Sequence, residues 1–169
     1  MKTLYIIRHA KSSWKYHHLD DIDRPLNKRG KRDAPDMGER LSVLNIIPHL
    51  MISSPAKRAY ATCKTIAKAL EYPKEAIEIN DKLYHASEDS LMDIIQDIEN
   101  SWDSVMIFGH NPGLTLFANS LADTNIDNIP TCGIVACTFD VDSWAETDFG
   151  KGKLMFYDYP KKVSKSEVN

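Results

Sequence analysis

Continuous apolar runs and helix-spaced apolar positions alternate along the chain. Leu4 to Ile7 is unbroken apolar sequence, which predicts a strand covered on both faces. Leu50-Met51-Ile52 and Val105-Met106-Ile107-Phe108 read the same way, and Ala76 to Ile79 predicts one more short strand. Between the runs, apolar residues recur at helical spacing: Ala34, Met37, Leu41 and Leu44, then Ala59, Cys63, Ile66 and Leu70. Leu91, Ile94, Ile95 and Ile98 form a third such face, and Leu114, Phe117, Ala118 and Leu121 a fourth. The second helix is predicted to open with Ser54 as N-cap and Pro55 at its first position; Pro112 heads the fourth, with Asn111 placed to cap it. Ile134 to Val141 and Leu154 to Tyr159 predict two late strands, a hairpin joined near Gly150-Lys151-Gly152. This alternation predicts an α/β fold, a three-layer α/β/α sandwich around a mostly parallel central sheet. One domain is expected over residues 1–160. The polar tail 161–169 lacks a periodic apolar face and is expected to be disordered.

Composition narrows the partners. At 169 residues the chain fills one core, and 43% hydrophobic with 27% charged residues is ordinary for a globular domain. A net charge of -3 speaks against nucleic acid and against an anionic membrane surface. The apolar run at the start is short and meets Arg8-His9 at once, and no stretch approaches a membrane span, so a cytoplasmic protein is expected. Cys63, Cys132 and Cys137 lack a zinc-like Cys-x-x-Cys pair and read as ordinary small buried residues. His17-His18 near Asp20 and Asp21 lacks the i, i+4 spacing that brings histidines onto one metal. No metal and no cofactor are expected. Gly150-Lys151-Gly152-Lys153 lacks the spacing of a phosphate-binding loop, and Lys28-Arg29 and Lys31-Arg32 read as a solvated helix start.

The candidate chemistry gathers at strand ends. Parallel strands deliver their exit loops to one edge of the sheet, where ligands bind. Arg8-His9 follows the first strand, Arg58 lies early in the helix after the second, and His110 follows the fourth. Guanidinium groups form paired, charge-assisted bonds to phosphate oxygens, and a helix start adds free N–H groups. A neutral imidazole is a metal-free nucleophile for phosphorus; His110, as imidazolium, has a donor for a phosphoryl oxygen. Neighbouring strand residues face opposite ways, so Arg8 and His9 share a pocket only if the chain leaves strand geometry there. Each residue alone has an ordinary structural reading, a capping histidine or a solvated arginine. The joint pattern is what distinguishes them.

Arg8-His9-Ala10-Lys11-Ser12, Ser53-Ser54-Pro55-Ala56-Lys57-Arg58-Ala59 and Gly109-His110-Asn111-Pro112, in that order, resemble the histidine phosphatase superfamily, which includes the cofactor-dependent phosphoglycerate mutases. Within it the chain is similar to the short phosphohistidine phosphatases of the SixA type. The resemblance implies a phosphoglycerate mutase-like fold without the large helical insertion. It implies His9 as the phosphorylated nucleophile, with Arg8, Arg58 and His110 completing the phosphate pocket. Asp23-Arg24-Pro25-Leu26 matches a stretch whose arginine faces phosphate; Arg24 has the alternative of pairing with Asp20 or Asp21.

Two positions depart from the pattern. Ala10 stands where glycine is usual, as in the short subgroup. Where the mutases carry a glutamate that protonates the leaving oxygen, this chain reads Leu83-Tyr84-His85-Ala86-Ser87-Glu88, leaving His85 and Glu88 as the candidate acids. An alkoxide needs a proton on departure, whereas a ring-protonated phosphohistidine leaves as neutral imidazole. The expected activity is therefore a metal-independent phosphatase acting through phosphohistidine on His9, with phosphohistidine in a protein as substrate. A small-molecule phosphomonoesterase and a catalytically silent phosphate-binding module are the alternatives.

Overall fold

A computed structural model describes residues 1–162. Six strands form one sheet: β1 (Lys2–Arg8), β2 (Leu50–Ser53), β3 (Glu78–Ile79), β4 (Ser104–Gly109), β5 (Ile134–Phe139) and β6 (Lys153–Asp158). Their order is β3-β2-β4-β1-β5-β6. The first four are mutually parallel, β5 runs antiparallel to β1, and β5 and β6 form the expected antiparallel hairpin.

The apolar runs are strands buried on both faces. Leu4 and Ile6 of β1 and Val105 and Ile107 of β4 enter one core; Tyr5, Ile7, Met106 and Phe108 enter the other. Helices α1 (Lys28–Val43) and α2 (Lys57–Ala69) cover the second core with Met37, Leu41, Cys63 and Ile66. Helices α3 (Glu88–Gln96) and α4 (Gly113–Ala122) cover the first with Leu91, Ile95, Leu114 and Phe117. The result is the three-layer sandwich. Between β3 and β4 the chain holds α3 and one 3-10 turn (Asp81–Leu83), with no larger helical insertion.

Three details differ from the sequence reading. Helix α2 starts at Lys57 with Ala56 at its N-cap, two residues later than Pro55. The reason is that the Ser54 hydroxyl is engaged elsewhere, with His110, and takes only the Ala56 N–H at 3.2 Å. The predicted third strand shortens to Glu78–Ile79, because Lys74–Ala76 wind into a 3-10 turn. Leu44 is the exposed C-cap of α1 and lies outside its buried stripe. The expected disordered tail lies, from 163 onward, outside the described residues.

All three cysteines are unpaired and buried. Among the described residues no helix is long and apolar enough to cross a membrane.

Candidate active site

Strand β1 ends at Arg8, and the backbone leaves strand geometry at His9 as two residues sharing a pocket require. The ladder to β4 closes with the His9 N–H on the Gly109 carbonyl at 3.1 Å. On the other side the Cys132 N–H donates to both the Arg8 and the His9 carbonyls, at 3.1 and 3.0 Å. Cys132 has a φ of 62°, in the left-handed region that few side chains adopt. This aims its amide at the strand end.

The residues after His9 are fixed as firmly. The Ala10 N–H donates to Thr62 Oγ1 at 2.9 Å, and that hydroxyl donates to the Arg58 carbonyl at 2.7 Å, so α2 holds the loop. The Lys11 carbonyl accepts the Asn27 N–H at 3.0 Å, and Gly30 packs so closely on it that a Cβ would lie 2.2 Å away. Glycine at 30 thus permits the approach of α1 to the nucleophile loop.

The hydrogen bonding of His9 sets its chemistry. Its Nδ1 lies 2.7 Å from the Ala10 carbonyl oxygen, which can only accept, so Nδ1 carries the proton and Nε2 keeps its lone pair. His9 is 8% exposed. Burial first, then the charges of Arg58, Arg8 and Arg24, lower its pKa to about 3 against the raising effect of the Ala10 bond. The ring is neutral at physiological pH.

His110 lies with its ring centroid 5.2 Å from that of His9. Its Nδ1 faces an Arg58 Nη2 donor at 3.4 Å, so Nδ1 accepts, and Nε2–H donates to Ser54 Oγ at 2.8 Å. Burial and the neighbouring His9 and Arg58 lower its pKa to about 3 as well. The free enzyme therefore holds His110 as neutral imidazole, and the imidazolium donor considered from the sequence requires a further proton.

Arginines surround the pair. Arg58, 3% exposed, sends Nη1 to the Asp21 carbonyl at 2.6 Å and Nη2 to the Asp21 carboxylate at 3.0 Å. Arg8 sends Nη1 to the Ile129 carbonyl at 2.8 Å. The Nε–H groups of Arg8 and of Arg58 are buried without a hydrogen-bond partner. Unpartnered buried donors are costly, and guanidinium groups gathered beside a neutral imidazole have the chemistry to hold an oxyanion. Arg24 is buried, with Nε on the Ser13 carbonyl at 3.1 Å, Nη2 on the Ser12 hydroxyl, and its plane 3.4 Å from the Trp14 ring. Of the two sequence readings of Arg24, the pairing with Asp21 is present at 2.8 Å, and its charge also acts on His9.

The two candidate acids separate. His85 belongs to the cluster, with its ring 5.3 Å from that of His110 and 4.1 Å from that of Tyr84. Glu88 is turned to α4, where its Oε1 accepts the Ser120 hydroxyl at 2.6 Å. Asp21, noted in the sequence as a partner for Arg24 and beside His17-His18, joins Arg24, Arg58, Tyr84 and His85. Its Asp21-x-x-Arg24 spacing was the one local signal; contact with Arg58 and Tyr84 arises only in the fold. Among the described residues no group of three or more His, Cys, Asp or Glu is placed to hold a metal ion.

These charge states have a measurable consequence. Histidine NMR is expected to show His9 as the Nδ1–H tautomer and His110 as the Nε2–H tautomer, both unprotonated down to pH 4. A folded pKa below the unfolded 6.5 means that the unfolded chain binds the extra protons between pH 6.5 and about 3. Stability therefore falls as the pH is lowered through that window, by at most about 1.4 kcal/mol per pH unit for each histidine. A His9 or His110 signal titrating near pH 6.5 in the folded protein contradicts this assignment.

A family model described as histidine phosphatase superfamily (branch 1) matches residues 4–84. An uncharacterised chloroplastic protein of Arabidopsis thaliana is 31% identical over 153 residues, spanning 86% of this chain and 70% of that one. Among solved structures, the protein histidine phosphatase SixA in complex with tungstate superposes with a TM-score of 0.79 at 20% identity, covering 94% of this chain and 97% of that one. A mycobacterial glucosyl-3-phosphoglycerate phosphatase in complex with VO3 gives a TM-score of 0.68 at 13% identity, covering 94% and 100%. At such identities the two structures share the fold with this chain. The matched model spans the Arg8-His9 and Arg58 segments, which the structure brings together with His110, and on these grounds the chain is a phosphatase that belongs to the histidine phosphatase superfamily.

Proposed function

We propose that the chain is a metal-independent phosphatase that passes the phosphoryl group through His9 and acts on phosphohistidine in proteins. The observation that carries this reading is the His9 ring itself. Its proton is committed to the Ala10 carbonyl, and its other nitrogen is unprotonated among three arginines. In-line attack by Nε2 forms the phosphoryl-nitrogen bond as the leaving group departs. The guanidinium groups of Arg8 and Arg58 neutralise and bind the phosphoryl oxygens, and Arg24 adds positive charge. His110, neutral when free, gains a proton readily once a dianion adjoins it. Water then cleaves the phosphohistidine intermediate.

The phosphohistidine preference rests on the leaving group. Glu88 is engaged by Ser120 and Asp21 is ionised between two arginines, so of the candidate acids only His85 stands at the site and no carboxylic acid is a standing proton source for an alkoxide. Imidazole protonated on its second nitrogen departs neutral and needs no such source. The three unpaired cysteines fit a reducing compartment, and we place the protein in the cytosol.

Rates on a phosphohistidine peptide and on sugar phosphates test the reading. The peptide is expected to have a kcat/KM higher by about 100-fold or more. Equal or reversed rates replace it with a small-molecule phosphomonoesterase, the activity named for the mycobacterial structural neighbour. Vanadate binding without hydrolysis of any activated phosphate indicates a silent binding module.

A further inference from the structure

Asp21 is the one carboxylate that the described residues bring into contact with the arginine–histidine cluster. It sits in a 3-10 turn (Asp21–Asp23) of the loop between β1 and α1. Its Oδ1 accepts Arg24 Nη1 at 2.8 Å; its Oδ2 accepts Arg58 Nη2 at 3.0 Å and the Tyr84 hydroxyl, with His85 Nε2 3.4 Å away. The side chain is nevertheless 41% exposed, so the carboxylate borders solvent next to the Tyr84 and His85 rings. Those rings come from the segment that holds His85, one of the two candidate acids. Asp21 takes Nη donors of Arg24 and Arg58, while Arg8 is anchored separately, by Nη1 on the Ile129 carbonyl.

We propose that Asp21 is a specificity-determining residue on the leaving-group side, an anionic acceptor for the ring N–H of a phosphohistidine substrate. This rests on the function proposed above. The phosphorylated substrate ring carries its proton on the nitrogen that is not bonded to phosphorus. The lone pair of His9 Nε2 forms the new phosphorus–nitrogen bond, and the old one breaks with its electron pair passing to the substrate nitrogen. The distal proton stays on the departing ring, hydrogen-bonded to Asp21, and neutral imidazole leaves. His9 then carries phosphorus on Nε2 and its own proton on Nδ1, held by the Ala10 carbonyl. Each ring thus keeps its far proton on a protein oxygen while phosphorus moves between them.

The same charge acts against esters. An alkoxide brings no N–H and develops negative charge beside the carboxylate. Burial by itself raises the pKa of Asp21, but hydrogen bonds from Tyr84, Arg24 and Arg58 outweigh it and hold the carboxyl well below the usual carboxylate range. It has no proton to give.

The test compares phosphoimidazole with phenyl phosphate as substrates of the wild-type enzyme, Asp21→Asn and Asp21→Glu. The quantity read is the ratio of the two kcat/KM values within each protein, which cancels differences in folded fraction. In Asp21→Asn the ratio is expected to fall about 10- to 100-fold, the scale of a hydrogen bond to a charged group. Asp21→Glu, which keeps the charge, is expected to recover much of it. Equal losses on both substrates mean that Asp21 only orients Arg24 and Arg58, and overturn the proposal. A larger loss on phenyl phosphate makes Asp21 a proton donor and overturns it too. If the wild-type enzyme itself shows no preference for the phosphoramidate, the underlying function fails. An unchanged ratio in Asp21→Asn, with that preference intact, refutes the role of Asp21 alone.

Discussion

His9→Asn is expected to lower kcat by about 10⁴-fold or more while leaving vanadate affinity within a few-fold of wild type. The two readouts separate because the chemistry and the binding reside on different groups. Attack on phosphorus needs the Nε2 lone pair, which asparagine lacks. Anion binding draws on the guanidinium groups, and their carbonyl anchors at Ile129, Asp21 and Ser13 do not involve the imidazole. The asparagine amide can still donate to the Ala10 carbonyl, so the loop keeps its bond. Incubation with a labelled phosphodonor is expected to give a protein label that is lost in acid and stable in base, and no label in the variant. Retention of turnover within about tenfold, or an acid-stable label, rules out the His9 intermediate.

Arg58→Lys is expected to cost about 100-fold in kcat/KM, and Arg58→Ala about 1,000-fold, with vanadate affinity falling in parallel. Arg58 is the hub of the site. Its two Nη atoms bind the Asp21 carbonyl, the Asp21 carboxylate and His110 Nδ1, which ties α2 to the first loop and to the exit of β4. A lysine ammonium keeps the charge but cannot span these directions, since its three donors diverge from one atom. The buried setting of Arg58 and His110 raises the cost, because little water reaches His110 Nδ1 once it is left without a partner. A lysine variant with near-wild-type vanadate affinity would remove Arg58 from the phosphate pocket.

Much of the site was legible because parallel strands give it a common address. The short buried runs at Leu4–Ile7, Leu50–Ile52 and Val105–Phe108 are of strand length and β-branched or aromatic in part, and their exits carry Arg8-His9, Arg58 and His110. What escaped was competition for hydrogen bonds. Ser54-Pro55 has the local signature of a helix start, yet its hydroxyl is claimed by His110 from another strand, and the helix begins later. Glu88 has the spacing of an acid near the site, yet Ser120 of α4 turns it away. The charge of His110 depended on burial and on Arg58, which no local pattern reports.

By itself, then, the sequence determined the layered α/β architecture and the residue types collected at one sheet edge. Both follow from periodic burial and from the polarity of parallel strands. Only the tertiary structure decided which nitrogen of His9 is free, that His110 is neutral, and that Asp21 rather than Glu88 is the carboxylate facing the arginines. Those outcomes are set by desolvation and by hydrogen bonds between segments distant in the chain, such as Ser54 with His110 and Asp21 with Arg58 and Tyr84. Such pairings have no periodicity to read.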